Sequence, residues 1–154
     1  EQLGSPDTLY ESPSSAFVAR FLGDSNLFEG TVDQAADGLA LAGPGWRYLL
    51  DDRSVRKAGL GRGDAAALLL RPERLRVELE SEPGPVALLA NVRRGVVAET
   101  VFLGASRKIV VDLEGGGTVQ ARLPTDAGPA PAHGERVVVG WDPADAVVMG
   151  GRSG

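Results

Sequence analysis

Cysteine is absent from this 154-residue sequence, which excludes disulfides and thiolate metal sites. Histidine occurs once, as His133, so neither a His-rich metal cage nor a paired-histidine mechanism can be assembled. Lysine is confined to Lys57 and Lys108, and aromatic residues make up only 5% of the chain. With a net charge of −5, the sequence offers neither the basic groove nor the stacking platforms of a nucleic-acid-binding barrel, which is the weakest of the binding functions weighed. No apolar stretch approaches the ~18 residues that a membrane-spanning helix needs. The opening Glu1-Gln2-Leu3-Gly4 has neither the basic region nor the apolar run of a signal peptide. It also lacks Met, which reads as a processed chain or a piece of a longer one.

What the chain does have is Gly (21) and Pro (10), a load that favours turn-rich β architecture over a helical bundle. It also repeats itself. Gly63-Asp64 precedes the apolar run Ala65 to Leu70 and then Arg71-Pro72-Glu73, while Gly134-Glu135 precedes Val137-Val138-Val139 and then Trp141-Asp142-Pro143. Each copy has an earlier start, Gly30-Thr31-Val32 in the first and Gly95-Val96-Val97 in the second. A duplicated β unit with no reactive constellation points to a binding or regulatory module.

Before Asn26 the pattern is helical. Ser14 or Ser15 can cap a helix whose apolar stripe is Phe17, Val18, Phe21 and Leu22, and Gly23 supplies its stop. Short strands are then expected at 27–32, 39–41, 47–50, 65–70, 75–79, 86–103, 108–113, 118–123, 136–139 and 146–149. Asp37-Gly38, Gly43-Pro44-Gly45 and Gly115-Gly116-Gly117 are the turns between them, and Gly95 marks a bulge or bend. These features imply a mainly β fold of two small closed or semi-closed barrels, separate or interleaved, behind a short N-terminal helical segment. The expected division is 1–25 helical, 26–80 first unit, 86–149 second unit and 150–154 tail.

Several motifs invite a chemical reading and do not support it. Gly59-Leu60-Gly61-Arg62-Gly63 lacks the third glycine of a dinucleotide fingerprint, since Asp64 stands there, and is read as a turn into the next strand. Asp51-Asp52 and Glu80 with Glu82 are read as solvated turn and edge charges, and His133 as a surface residue at a loop end. Neither a catalytic, nor a cofactor, nor a metal site is assigned. Trp141, beside Asp142, reads either as core or as a contact residue, because interfaces are enriched in Trp and Arg. Arg71 and Glu73 flank a proline that ends a strand, so they form either a structural ion pair or a partner contact.

In order and spacing the chain resembles the C-terminal region of ATP-binding subunits of ABC importers of the polyamine or ferric-iron type. The matching text is Gln2-Leu3-Gly4-Ser5-Pro6, Leu9-Tyr10-Glu11-Ser12-Pro13, Phe17-Val18-Ala19-Arg20-Phe21-Leu22-Gly23 and Asn26-Leu27-Phe28. It continues with Leu70-Arg71-Pro72-Glu73, Val101-Phe102-Leu103-Gly104-Ala105-Ser106 and Trp141-Asp142-Pro143. The stretch from Phe21 to Phe28 is most similar to the spermidine/putrescine group. The resemblance implies a regulatory TOBE region of oligonucleotide-binding-like barrels that follows a nucleotide-binding domain and meets a second copy of the subunit. Phe102, in one matched segment, joins Arg71, Glu73, Trp141 and Asp142 as a candidate partner or dimer contact. ATP and Mg would belong to the nucleotide-binding domain, so this fragment would hydrolyse nothing itself. Its partners would be that domain, a second copy and, indirectly, membrane permease subunits on the cytoplasmic face. The alternative is a small-ligand sensor for an oxyanion or a polyamine.

Overall fold

A computed structural model describes residues 25–151. The helical segment expected before Asn26 and the end of the tail lie outside the described residues. The rest is ten β-strands with one short α-helix and three 3-10 turns.

The strands form two five-stranded antiparallel sheets. The first contains β1 (Asn26–Ala35), β2 (Gly38–Gly43), β3 (Trp46–Leu49), β4 (Ala65–Leu70) and β10 (Val147–Gly150), in the order β10-β4-β1-β2-β3. The second contains β5 (Arg76–Leu79), β6 (Asn91–Leu103), β7 (Ser106–Leu113), β8 (Thr118–Pro124) and β9 (Arg136–Trp141), in the order β5-β9-β6-β7-β8. The duplication read from the sequence thus appears as one strand order written twice, but with the last strand of each repeat exchanged. β5 follows β4 in the chain yet pairs with β9, aligning Val77 with Val139, and β10 follows β9 yet pairs with β4, aligning Val148 with Leu68.

This exchange moves the unit boundaries away from those expected. One compact unit runs to Leu70 and resumes at Ala146, and the other is Arg71–Asp145. The strand at 76–79 therefore leaves the first unit and the strand at 147–150 leaves the second. Prolines at the corners are the local cause. Pro72 and Pro143 open the 3-10 turns Pro72–Arg74 and Pro143–Asp145, and a proline cannot donate to a continuing ladder. Each chain segment must leave its sheet there.

Within each unit the paired glycines do the same work. A Cβ on Gly30 would overlap the carbonyl oxygen of Ala42, and one on Gly95 would overlap that of Asp112. Only a residue without a side chain lets the neighbouring strand approach so closely. The adjoining hydrogen bonds also repeat. Gly63 N donates to Val32 O and Gly134 N to Val97 O, both at 2.8 Å. The bend expected near Gly95 is a register shift between Val97 and Glu99.

Burial alternates along β7, whereas β4 and β9 are buried at five consecutive residues each. Val32, Leu41, Tyr48 and Leu68 are buried in the first unit, and Val97, Ile109, Val111 and Val139 in the second. Phe28, Trp46 and Tyr48 pack together in the first unit, with ring centroids 4.9 to 6.0 Å apart.

Two local features differ from the sequence reading. Asp51-Asp52 does not lie in a turn. Asp51 caps the helix α1 (Asp52–Lys57), accepting from Ser54 N at 3.2 Å and Ser54 Oγ at 2.8 Å, and Val55 buries the helix's apolar side. The segment 86–88, expected as the start of a strand, is instead part of the 3-10 turn Pro85–Leu88. Glu78 holds its start by accepting from Gly84 N at 2.6 Å and Val86 N at 3.1 Å.

Candidate partner-contact surfaces

The five residues singled out from the sequence do not form one site. Trp141 ends β9 opposite Asn91, the first residue of β6, whereas Phe102 lies near the other end of that strand.

Trp141 belongs to the core. It is 1% exposed, as Leu70 at the matching position of the first repeat is 0% exposed, so it presents no surface to a partner. In both copies this position closes a run of five buried residues and pairs with the residue four before the repeat's glycine. Asn26 aligns with Leu70 and Asn91 with Trp141, and both asparagines are buried. Asn26 Nδ2 donates to Leu70 O at 3.1 Å, which satisfies the amide inside the sheet.

Asp142 is exposed, but its carboxylate has a local structural task. Oδ1 accepts from Ala144 N at 2.9 Å and stabilises the turn that follows. Arg71 and Glu73 are exposed at the corresponding corner. No ion pair joins those two among the described residues. At the same corner Arg74 Nη1 pairs with Asp145 Oδ1 at 3.7 Å. That pair is half-exposed and contributes little.

Phe102 is the one candidate whose surroundings fit a contact. It is 68% exposed and its neighbour Leu103 45%, at the tip of the β6–β7 hairpin. Cross-strand register puts Phe102 opposite Arg107, so the two side chains share a face. Arg107 itself is 4% exposed. Its Nη2 donates to Pro124 O at 3.0 Å, its Nε has no acceptor, and no carboxylate pairs with it among the described residues. Sequence reasoning missed Arg107, although the alternation Arg107, Ile109, Val111, Leu113 marks it as inward-facing.

A second cluster lies elsewhere on the same unit. Arg136 donates through Nε to Glu80 at 2.9 Å and through Nη2 to Glu114 at 2.5 Å, and these hydrogen bonds with two carboxylates raise its pKa above the usual arginine value. Glu80, read as a solvated charge, is thus a partner in a three-residue network. The network borders a shallow cleft of about 360 Å³ with Leu79, Ser81 and Glu135. One guanidinium serves two carboxylates there, and Glu135 Oε1 accepts from Ala132 N at 2.6 Å, so the cleft carries a net negative charge. Among the described residues no group of three or more His, Asp or Glu side chains is placed to hold a metal ion, and no helix is long and apolar enough to cross a membrane.

Two small antiparallel β units built from exchanged repeats define an OB-like β module. Comparison with known proteins gives the family. Residues 68–149, more than half of the chain, match the TOBE domain model, and the chain belongs to that family.

Relatives extend the match. The chain is 34% identical to the spermidine/putrescine import ATP-binding protein PotA of Rubrobacter xylanophilus, over 100% of this chain and 39% of that protein. It is 32% identical to PotA of Treponema pallidum, over 96% of this chain and 41% of that protein. For PotA of Frankia alni the figures are 34%, 97% and 33%. The chain therefore spans about two-fifths of the length of the first of these relatives. In fold it is similar to the cytoplasmic molybdate-binding protein ModG, crystallised with molybdate bound. That likeness has a TM-score of 0.66 at 15% identity and covers 82% of this chain and 96% of that one.

Proposed function

We propose that this chain is the regulatory, dimer-forming portion of the ATP-binding subunit of an ABC importer of polyamines, and that it does not itself hydrolyse ATP. One observation carries the reading. Similarity to proteins named for spermidine/putrescine import runs through the entire chain, yet takes up only 39% of the length of the Rubrobacter relative. That portion is a duplicated β module of two five-stranded sheets. Nucleotide and magnesium would be handled by the remainder of such a subunit. The partners would be that nucleotide-binding portion, a second copy of the subunit and, through them, permease subunits at the cytoplasmic face of the membrane.

The test compares the parent subunit with and without residues 26–154. The intact subunit is expected to hydrolyse ATP and to dimerise, and the 154-residue chain alone to hydrolyse none. Removing 26–154 is expected to leave hydrolysis possible while weakening dimerisation or abolishing its regulation. ATP turnover by the isolated chain, or a truncated subunit that dimerises and is regulated like the intact one, would refute the proposal.

A further inference from the structure

The two edge strands created by the exchange are covered differently. In the second unit β5 is flanked by the turn Pro85–Leu88, which the carboxylate of Glu78 on that strand fastens through Gly84 N and Val86 N. Register puts Met149 at the matching place of β10. Glu78 lies opposite Val138 and Met149 opposite Ala67, each three residues before the end of β9 or β4. A thioether cannot hold two backbone N–H groups as a carboxylate does, and no turn is fastened to β10 among the described residues.

The outer side of β10 is left bare. Gly151 N donates to Ala65 O at 2.9 Å, and Val147 aligns with Leu69 in the same register, so Val147 and Met149 turn their backbone groups to β4. Val148 and Gly150 therefore direct N–H and C=O away from the sheet, and no backbone partner among the described residues receives them. Helix α1 does not close over them. Between it and β10 lies a groove of about 380 Å³, walled by Ser54, Lys57, Ala58, Ala146, Val147 and Val148, where Val147 is 50% exposed. An unpaired edge is a template for another strand.

Charge selects the kind of strand. Arg53, Arg56 and Lys57 are all exposed on α1 and pair with no carboxylate among the described residues, in a chain whose net charge is −5. The adjacent acids are turned away, Asp51 to the Ser54 cap and Asp52 to Leu39 N. We propose that β10 receives an extended peptide segment of a partner protein, acidic around a central apolar residue. The segment joins the sheet beside β10 and bonds the backbone of Val148 and Gly150. Its apolar side chain enters the groove against Ala58 and Val147, and a carboxylate on the same face meets Lys57. The inference is independent of the dimeric reading given above.

Magnetic resonance titration of the isotope-labelled 154-residue chain tests this. The probe is an acetylated peptide of glutamate, threonine, valine, threonine and glutamate, in which alternate residues share a face. Saturable shifts confined to β10 and α1 are expected, with a dissociation constant of about 0.1–1 mM at low salt that rises at high salt. Exchange of the Val148 and Gly150 amides is expected to slow. Lys57→Glu and Val147→Glu alter exposed residues, and each is expected to weaken binding by at least roughly tenfold without changing the melting temperature. Of two peptides N-methylated at odd or at even positions, one is expected to lose binding, because only one set of amides faces β10.

The absence of saturable shifts up to about 5 mM peptide overturns the proposal, as do shifts centred elsewhere. Undiminished binding of both N-methylated peptides does so too, since the backbone edge would then play no part. Contacts between the Val147 methyls and residues before Ser25 that the peptide does not displace would make this chain's own beginning the occupant, which also overturns it. Binding to phosphatidylserine vesicles that Lys57→Glu abolishes, without peptide binding, would assign the cations to a lipid surface and has the same consequence.

Discussion

The two repeats share a strand order, an obligatory glycine and a buried asparagine, yet they are elaborated in opposite ways. In the first, β1 and β2 are short, an aromatic cluster of Phe28, Trp46 and Tyr48 packs together on the sheet, and α1 joins β3 to β4. In the second, β6 and β7 are longer, running past the start of β9 at Arg136, and a Pro/Ala/Gly loop takes the place of the helix. The extension carries Phe102 into solvent. Shared positions therefore report what the scaffold needs, and positions unique to one repeat report what was added to it. By that criterion Trp141 and Leu70 are scaffold, and Phe102 with Arg107 is the addition.

The exchange of last strands is the feature whose removal should do the most damage. Ending the chain at Asp145 deletes β10, leaves β4 with an open edge and removes the buried Ala146 and Val148. A loss of about 3 kcal/mol or more is expected, with the first unit melting ahead of the second in urea. If both units keep a single transition at the wild-type midpoint, β10 is dispensable to the first sheet.

Core truncation sharpens the equivalence of the corners. Trp141→Ala is expected to cost about 3–5 kcal/mol and Leu70→Ala about 2–5 kcal/mol, both read from denaturant unfolding. A near-neutral Trp141→Ala would return that residue to the surface. The glycines come next. Gly30→Ala and Gly95→Ala should each cost about 1–3 kcal/mol, because the clash is with backbone that cannot swing aside. Equal penalties support equivalent bends in the two repeats, and a tolerated alanine at either position breaks the comparison. The smallest effect concerns the helix that only the first repeat has. Asp51→Ala removes the cap on Ser54 and is expected to cost about 0.5–2 kcal/mol, lowering the melting temperature modestly.

Much of the fold was readable from local pattern. The strands at 65–70 and 118–123 and the glycine turns at 43–45 and 115–117 follow from apolar runs and from residues that tolerate positive φ, which Gly45 and Gly115 to Gly117 adopt. The helix α1 was legible but misread, since Asp51 with Ser54 three residues on is an N-cap pattern. The candidate contacts were legible as residue types only. Trp141 and Phe102 are both large aromatics at strand ends, and burial of one and exposure of the other depends on how far each strand's neighbours extend alongside it.

Composition excluded thiolate chemistry and histidine-based metal sites. The repeated Gly-to-Pro spacing established that one β unit occurs twice, because turns and strand ends depend on residues close in sequence. Tertiary structure alone decided which sheet each repeat's last strand would join. β5 and β10 are only four residues long, and so short a strand pairs equally well in principle with any open edge. The choice is made by the direction in which Pro72 and Pro143 turn the chain and by the apolar edges of β9 and β4 that receive it.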